Sequence, residues 1–516
     1  MADATALASS RIMEGAAAEA CSGGSGAAEA PPPQLDALSG PALDALVCAL
    51  EPRHRGALRL TCRRLCRAAD AHAPRVAVAS GLRPPALLEL GRLCPRLRRA
   101  AGVAVMDGVS WGPPAPLPPG LAALTSLKLR LDEHTEYRCH RQGDASTADV
   151  LSALPALREL LFCGDLMFGT LGSCCSALER LELQSEDLGY NLEALRHYKN
   201  DPLIALTCMK MSGRSTEPMR MTAADVAAIG TVCPSLLELD IGRYVGGDYA
   251  ILGEVVAPPP LRHLTRLGAW NILPDDAAPL REWAPALRAL ELSDPHPTGE
   301  WPRGISSPHP ALRRLAYDAA PDFFGGYDGT ADSWMLGVSQ LTGLTALELR
   351  VRGTSRGGAS RDEREGPFYL RRWALAWPRL RSLTLEFVGP RVPAMPLVAA
   401  LGGAPLAATL AELRLAGVAL GTAEDTARTL PRAFELPCLN SFDLWLRPES
   451  GGGSADDLMG ALRTLAAPAA GPRLPAGGGQ PRVTLGVPLE WMCPQGPLAW
   501  AEVEGLATSL LTVVVD

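Results

Sequence analysis

No apolar run of eighteen residues occurs in the 516-residue chain. The nearest approach, "LVAALGGAPLAATLAELRLAGVAL" from Leu397, is interrupted by Gly, Pro, Glu412 and Arg414. A membrane-spanning helix is therefore not expected. The stretch "MADATALASSRIMEGAAAEACSGGSGAAEAPPP" has no apolar core and only Arg11 against Asp3, Glu14, Glu19 and Glu29. That argues against a secretory signal and against an arginine-rich, acid-poor transit peptide. Lysine is scarce, with only Lys128, Lys199 and Lys210 among 49 basic residues. The 13 cysteines include no CxxC pair, and Cys62 and Cys66 stand at helical i,i+4 spacing. Free thiols in a reducing compartment are expected, with no metal site. No phosphate-cradling GxxxxGK[ST], metalloprotease HExxH or nucleophile-elbow GxSxG occurs, so no catalytic residue and no cofactor are assigned. The densest polar cluster, "DEHTEYRCHRQGD" with His134, Cys139 and His140, reads as a loop between repeats rather than a metal site.

What is present is repetition. The pattern Leu, two residues, Leu, one residue, Leu recurs twelve times from 124 to 439, at intervals of 21 to 36 residues. Clear copies are "LTSLKL" at 124, "LERLEL" at 178, "LLELDI" at 236, "LRALEL" at 287, "LTALEL" at 344, "LRSLTL" at 380 and "LAELRL" at 410. Looser copies are "LRELLF" at 157, "LIALTC" at 203, "LTRLGA" at 264, "LRRLAY" at 312 and "LNSFDL" at 439. Alternation around the second and third Leu places both on one face of a short strand. One strand cannot hide that face alone, whereas a stack shares one core. The template resembles the leucine-rich repeat, which implies an α/β solenoid, or horseshoe. Many copies follow a proline, as in "LCPRL", "CPSL", "HPAL" and "WPRL". A proline there is expected to stop a returning helix and extend the chain into the strand. "TAADVAAIGTVCPSLLELDI" from Thr222 contains a full unit of helix, proline and strand.

In each copy the residue between the inward leucines faces the concave surface. In order these are Lys128, Leu161, Glu182, Thr207, Asp240, Gly268, Glu291, Ala316, Glu348, Thr384, Arg414 and Asp443. Trp270 and Trp445 lie one step further on the same face. Lys128, Glu182, Asp240, Trp270, Glu291, Glu348, Arg414, Asp443 and Trp445 are the candidate partner-binding residues, and the acidic ones suit a protein with a basic segment; the alternative is a solvated strand face with no specific ligand, with each Trp packed under a neighbouring loop.

The repeats are preceded by a unique head. Residues 51–99 hold twelve Arg against Glu51, Asp70 and Glu89, a +9 block in a chain of formal net charge −7. No nucleic-acid motif accompanies the arginines, and nucleic acid is not expected as a partner. Leu58, Cys62, Leu65 and Ala69 form one helical stripe, as do Leu43, Leu46, Val47 and Leu50 upstream. "LSGPALDALVCALEPRHRGALRLTCRRLCRAAD", residues 38–70, resembles an F-box, with Ser39 and Leu65 where the family has Pro and Trp. The resemblance implies a substrate-recognition subunit of a cullin–RING ubiquitin ligase. Leu38, Leu43, Leu46, Leu50, Leu58 and Leu65 would then bind the ligase adaptor protein of the cullin complex. The repeats would hold an unknown substrate protein, and the chain itself would catalyse nothing. The alternative is a leucine-rich-repeat scaffold, cytoskeletal or ciliary, whose head only caps the solenoid.

The expected organisation is a low-complexity tail over 1–34 and an F-box-like helical domain over 35–72. Repeats over 73–480 follow, with loop insertions at 351–366 and 447–482, then a C-terminal cap over 481–516. The expected location is cytoplasmic or nuclear.

Overall fold

The computed structural model describes residues 75–82, 87–105, 118–131, 150–164, 168–185, 195, 202–213, 220–241, 251–252, 261–272, 284–293, 309–319, 338–352, 377–402, 405–419, 436–446, 482–487 and 511–515, apart from 88–89, 93, 95, 222, 270, 339–340 and 389–391 inside those spans. The F-box-like segment, with Leu38, Leu43, Leu46, Leu50, Leu58 and Leu65, lies outside the described residues. So do Trp270, the cluster at 132–144 and nearly all of both loop insertions.

Twenty strands are described. β1 to β6 are Arg75–Leu82, Arg99–Val105, Ser126–Leu131, Glu159–Cys163, Arg180–Ser185 and Cys208–Gly213. β7 (Arg220–Met221), β9 (Ile251–Leu252) and β11 (Asn271–Ile272) alternate along the chain with β8 (Glu238–Asp240), β10 (Arg266–Ala269) and β12 (Ala289–Ser293). β13 to β16 are Arg314–Ala319, Ala346–Arg352, Ser382–Val388 and Val392–Pro393. β17 to β20 are Glu412–Ala419, Ser441–Leu446, Arg482–Val487 and Leu511–Val515.

Seventeen of these form one sheet, and β7, β9 and β11 form a second, three-stranded one. Every neighbouring pair in the large sheet is parallel, and each full strand pairs with the next full strand of the chain. Parallel neighbours need a return crossover, so the chain winds once per strand. This is a leucine-rich-repeat-like solenoid. β1 and β2 extend it ahead of the first template, and β19 and β20 carry it on through the segment read as a C-terminal cap.

The core is a stack of rows. Leu127 pairs in register with Leu160, Leu160 with Leu181, and Leu181 with Met209. The next inward row runs Leu129, Phe162, Leu183, Met211. All of these are buried, as are their counterparts through Phe442 and Leu444 of β18. Each such side chain contributes roughly 1.5–3 kcal/mol on burial.

Eleven of the twelve templates are in the expected phase. The exception is the copy at 203. Its strand is "CMKM", the template is Leu206, Met209, Met211, and Ile204 is 64% exposed. Two methionines fill leucine positions, so the residue between the inward pair is Lys210, not Thr207. Thr207 instead sits at the strand entrance, where its Oγ1 donates to Glu179 O at 3.2 Å. Thr125, Thr265 and Thr345 do the same at the entrances of their own strands, each donating to a carbonyl of the preceding rung, Arg98, Leu237 and Arg313.

The prolines make a turn where an extended chain is expected, although the helix over Ala223–Val232 does end just ahead of Pro234. In "CPSL" the Leu236 N–H donates to Cys233 O at 3.2 Å, closing a four-residue turn with Pro234 second. Leu157 to Leu154, Leu287 to Ala284, Leu312 to His309, Leu380 to Trp377 and Leu439 to Leu436 repeat it. Proline suits that place because its φ is pre-set for a turn. The residue ahead of the proline is driven inward, forming a row of buried plugs behind the strands.

Return helices are short. The described ones are α1 (Pro119–Ala122), α2 (Phe168–Cys174), α3 (Ala223–Val232) and α4 (Ala394–Gly402), with a 3₁₀ turn at Pro405–Ala408. α3 is the helix expected within the unit at 222. Among the described residues no helix is long and apolar enough to cross a membrane.

Candidate interaction face

Residues that alternate with the inward rows form the opposite face of the sheet. Three outward rows run across it. The first reads Arg99, Ser126, Glu159, Arg180, Cys208, Glu238, Arg266 and onward to Arg314. The second reads Lys128, Leu161, Glu182, Lys210, Asp240, Gly268, Glu291, Ala316, Glu348, Thr384, Arg414, Asp443. The structure thus brings Lys128, Glu182, Asp240, Glu291, Glu348, Arg414, Asp443 and Trp445 onto one face, as read from sequence. Lys210 joins them. The sequence signal that could have found it was the Met-Lys-Met alternation.

The second row alone suggests an acidic ladder. Its neighbours change that picture, because arginines from adjacent rungs reach several of the carboxylates. Arg266 Nη2 donates to both oxygens of Glu291, at 2.8 and 3.0 Å, and Arg266 Nη1 lies 3.8 Å from Glu238. Arg314 Nη2 is 3.1 Å from Glu348. In the third row Arg350 Nη2 is 2.7 Å from Glu386. The hydrogen bond to Glu291 raises the Arg266 pKa. At Arg350 burial is the largest influence and opposes the charged form, but the bond to Glu386 together with the charges of Glu386, Asp318 and Glu348 raises the pKa. Neighbouring parallel strands stand ~4.8 Å apart, close enough for such pairs along the whole face. Glu182 accepts from Gln184 Nε2 at 2.9 Å.

Charge is segregated along the solenoid. From β2 to β6 the outward rows carry Arg99, Lys128, Arg130, Arg180 and Lys210 against Glu159 and Glu182. From β8 to β18 they carry Glu238, Asp240, Glu291, Asp318, Glu348, Glu386, Glu412 and Asp443 against Arg266, Arg314, Arg350 and Arg414. One stretch is basic and the longer one acidic. The basic stretch is also hollowed. A pocket of about 630 Å³ spans β2 to β6, lined by Arg99, Lys128, Glu159, Leu161, Arg180, Glu182, Cys208 and Lys210 among others.

At the far end, the Arg414 guanidinium carbon lies 5.3 Å from the Trp445 ring centroid, a cation–π contact. The Trp445 indole Nε1 is buried with no hydrogen-bond partner among the described residues. Trp445 is thus half-buried under its neighbour, not a bare anchor.

None of the seven described cysteines is in a disulfide. Burial pushes Cys175 and Cys233 up to about 12, which keeps both protonated and unreactive. Burial also raises Cys208, although Arg180 beside it pulls the other way.

No family model matches the chain, and no curated protein does. Among solved structures, the crystal structure of a TLR13–ssRNA13 complex is similar at 14% identity with a TM-score of 0.38. That match covers 69% of this chain and 44% of the other, so the chain spans less than half the length of that neighbour. The leucine-rich-repeat-like assignment rests on the chain's own parallel ladder and its in-register leucine rows.

Proposed function

We propose that this chain is a non-catalytic interaction adaptor, the substrate-recognition subunit of a cullin–RING ubiquitin ligase. The observation that carries the interaction half is the open outward face. It is a polar, charge-patterned surface built on a continuous parallel ladder, and repeat ladders of this kind present extended binding surfaces. The ligase half is supported by the F-box resemblance of residues 38–70, placed directly ahead of the repeats. Leu38, Leu43, Leu46, Leu50, Leu58 and Leu65 would grip the adaptor protein, and the repeats would hold the substrate. The chain then works by proximity, raising the effective concentration of a tethered protein near the charged ubiquitin-conjugating enzyme. The acidic stretch over β8–β18 suits a basic segment of that protein. No cofactor, membrane or nucleic acid enters this reading.

A pull-down of the ligase adaptor by the full-length chain tests it. Wild type should capture the adaptor, and Leu46→Asp with Leu58→Asp should lose it, because each sets a charge in an apolar contact. A folded wild-type chain that captures no adaptor would favour a scaffold without ligase coupling.

A further inference from the structure

The hollow over β2–β6 differs in sign from the described face beyond it. Its charged lining is Arg99, Lys128, Arg180 and Lys210 against Glu159 and Glu182. Glu159 is 3.7 Å from Arg99. Lys128 and Lys210 form no ion pair among the described residues, although a carboxylate stands one rung from Lys210 on either side. Two of the chain's three lysines therefore stand in this hollow, one at each end of the same row.

Three strand spacings separate them, about 14 Å. Leu161, half-exposed, lies on the rung next to Lys128. An extended peptide covers the same distance in about four residues, with positions i, i+2 and i+4 facing one way. We infer that the hollow binds an acidic peptide segment of a partner protein, laid across the strands. Its carboxylates at i and i+4 meet Lys128 and Lys210, and an apolar side chain at i+2 settles toward Leu161. Arg180, on the neighbouring row, adds positive potential between the ends.

A polyanion such as RNA fits less well. The face turns acidic immediately beyond β6, at Glu238 and Asp240, so a longer strand of phosphates would be repelled. Among the described residues no aromatic side chain lines the hollow to stack on bases. The inference rests on the outward face being the interaction surface, and it is independent of ligase docking.

Fluorescence anisotropy on the full-length protein tests it, using a labelled, end-blocked peptide containing Glu-Ser-Leu-Ser-Glu. At low salt it should bind more tightly than the same peptide with lysines in place of the glutamates. The double variant Lys128→Glu, Lys210→Glu should weaken binding about tenfold, and Lys128→Gln, Lys210→Gln by a smaller factor. Arg482→Glu, on the same face far from the hollow, should leave it unchanged. Raising the salt should weaken wild-type binding toward that of the double variant. Equal affinity for the lysine peptide, or no loss in either double variant, would overturn the inference. So would tighter binding of a single-stranded RNA oligonucleotide at the same residues. Capture of the ligase adaptor should survive both lysine substitutions, so failure here and failure of the ligase reading are separable.

Discussion

His309 occupies a position that its row reserves for apolar groups. Its counterparts are Cys233, Ala284, Trp377 and Leu436, each the buried first residue of its turn. The imidazole is 4% exposed and its Nε2 is 3.1 Å from Ala284 O, while Nδ1 has no partner among the described residues. Burial lowers its pKa from the ordinary 6.5, against the smaller pull of the Ala284 carbonyl. The unfolded chain therefore takes the proton first as pH falls. Stability from this residue is full above about pH 6.5 and is lost as pH drops through the lower folded-state value. Denaturant melts should show a falling midpoint below pH 6.5 in wild type, and His309→Leu should flatten that dependence. A fall equally steep in His309→Leu would place the titrating group elsewhere. The plug role of His309 was not legible in the sequence. "HPAL" looks like any other proline junction, and only the turn geometry shows its first residue pointing inward.

At the scale of one element, β17 carries a bulge. Its pairing with β18 skips a residue between Ala416 and Val418, and Gly417 between them has φ +69. A Cβ there would come within 2.0 Å of Phe387 O on β15. Left-handed backbone and close approach together demand glycine. Gly417→Ala should cost roughly 1–3 kcal/mol or more, read as a lower melting temperature. A variant as stable as wild type would mean that the bulge relaxes without strain. The strand was legible from "LAELRL", because alternation survives the bulge up to Leu415. The bulge was not legible, since "AGVA", which contains it, keeps an apolar composition in either register. The same limit explains the misphased copy at 203. Leu203 and Leu206 satisfy the first half of the template whether they lie in the turn or in the strand. The Met-Lys-Met alternation offers the second phase, and pairing with β5 decides for it, setting Met209 and Met211 inward beside Leu181 and Leu183.

At the scale of the whole molecule, each full strand of the large sheet pairs, among the described residues, with the full strands before and after it, so stability is close to a sum of neighbour terms. Leu383 of β15 is 1% exposed and sits between Leu347 and Leu413 in its row. Leu383→Ala should cost about 2–5 kcal/mol. Hydrogen exchange should accelerate first in β14, β15 and β17, leaving β4 and β5 protected. Uniform loss of protection would show instead that the solenoid unfolds as one cooperative body. The sequence by itself determined the class of fold, the phase of most rungs and the side of the sheet on which Glu182, Asp240, Glu291 and Glu348 lie. Periodicity sets those, and a two-residue alternation leaves each side chain only two faces to choose from. It could not determine what those carboxylates meet. Arg266 reaches Glu291 over 25 positions and Arg350 reaches Glu386 over 36, distances that repeat length alone does not encode. The in-register stacking of rungs brings them together. The same stacking leaves Lys128 and Lys210 on either side of one hollow.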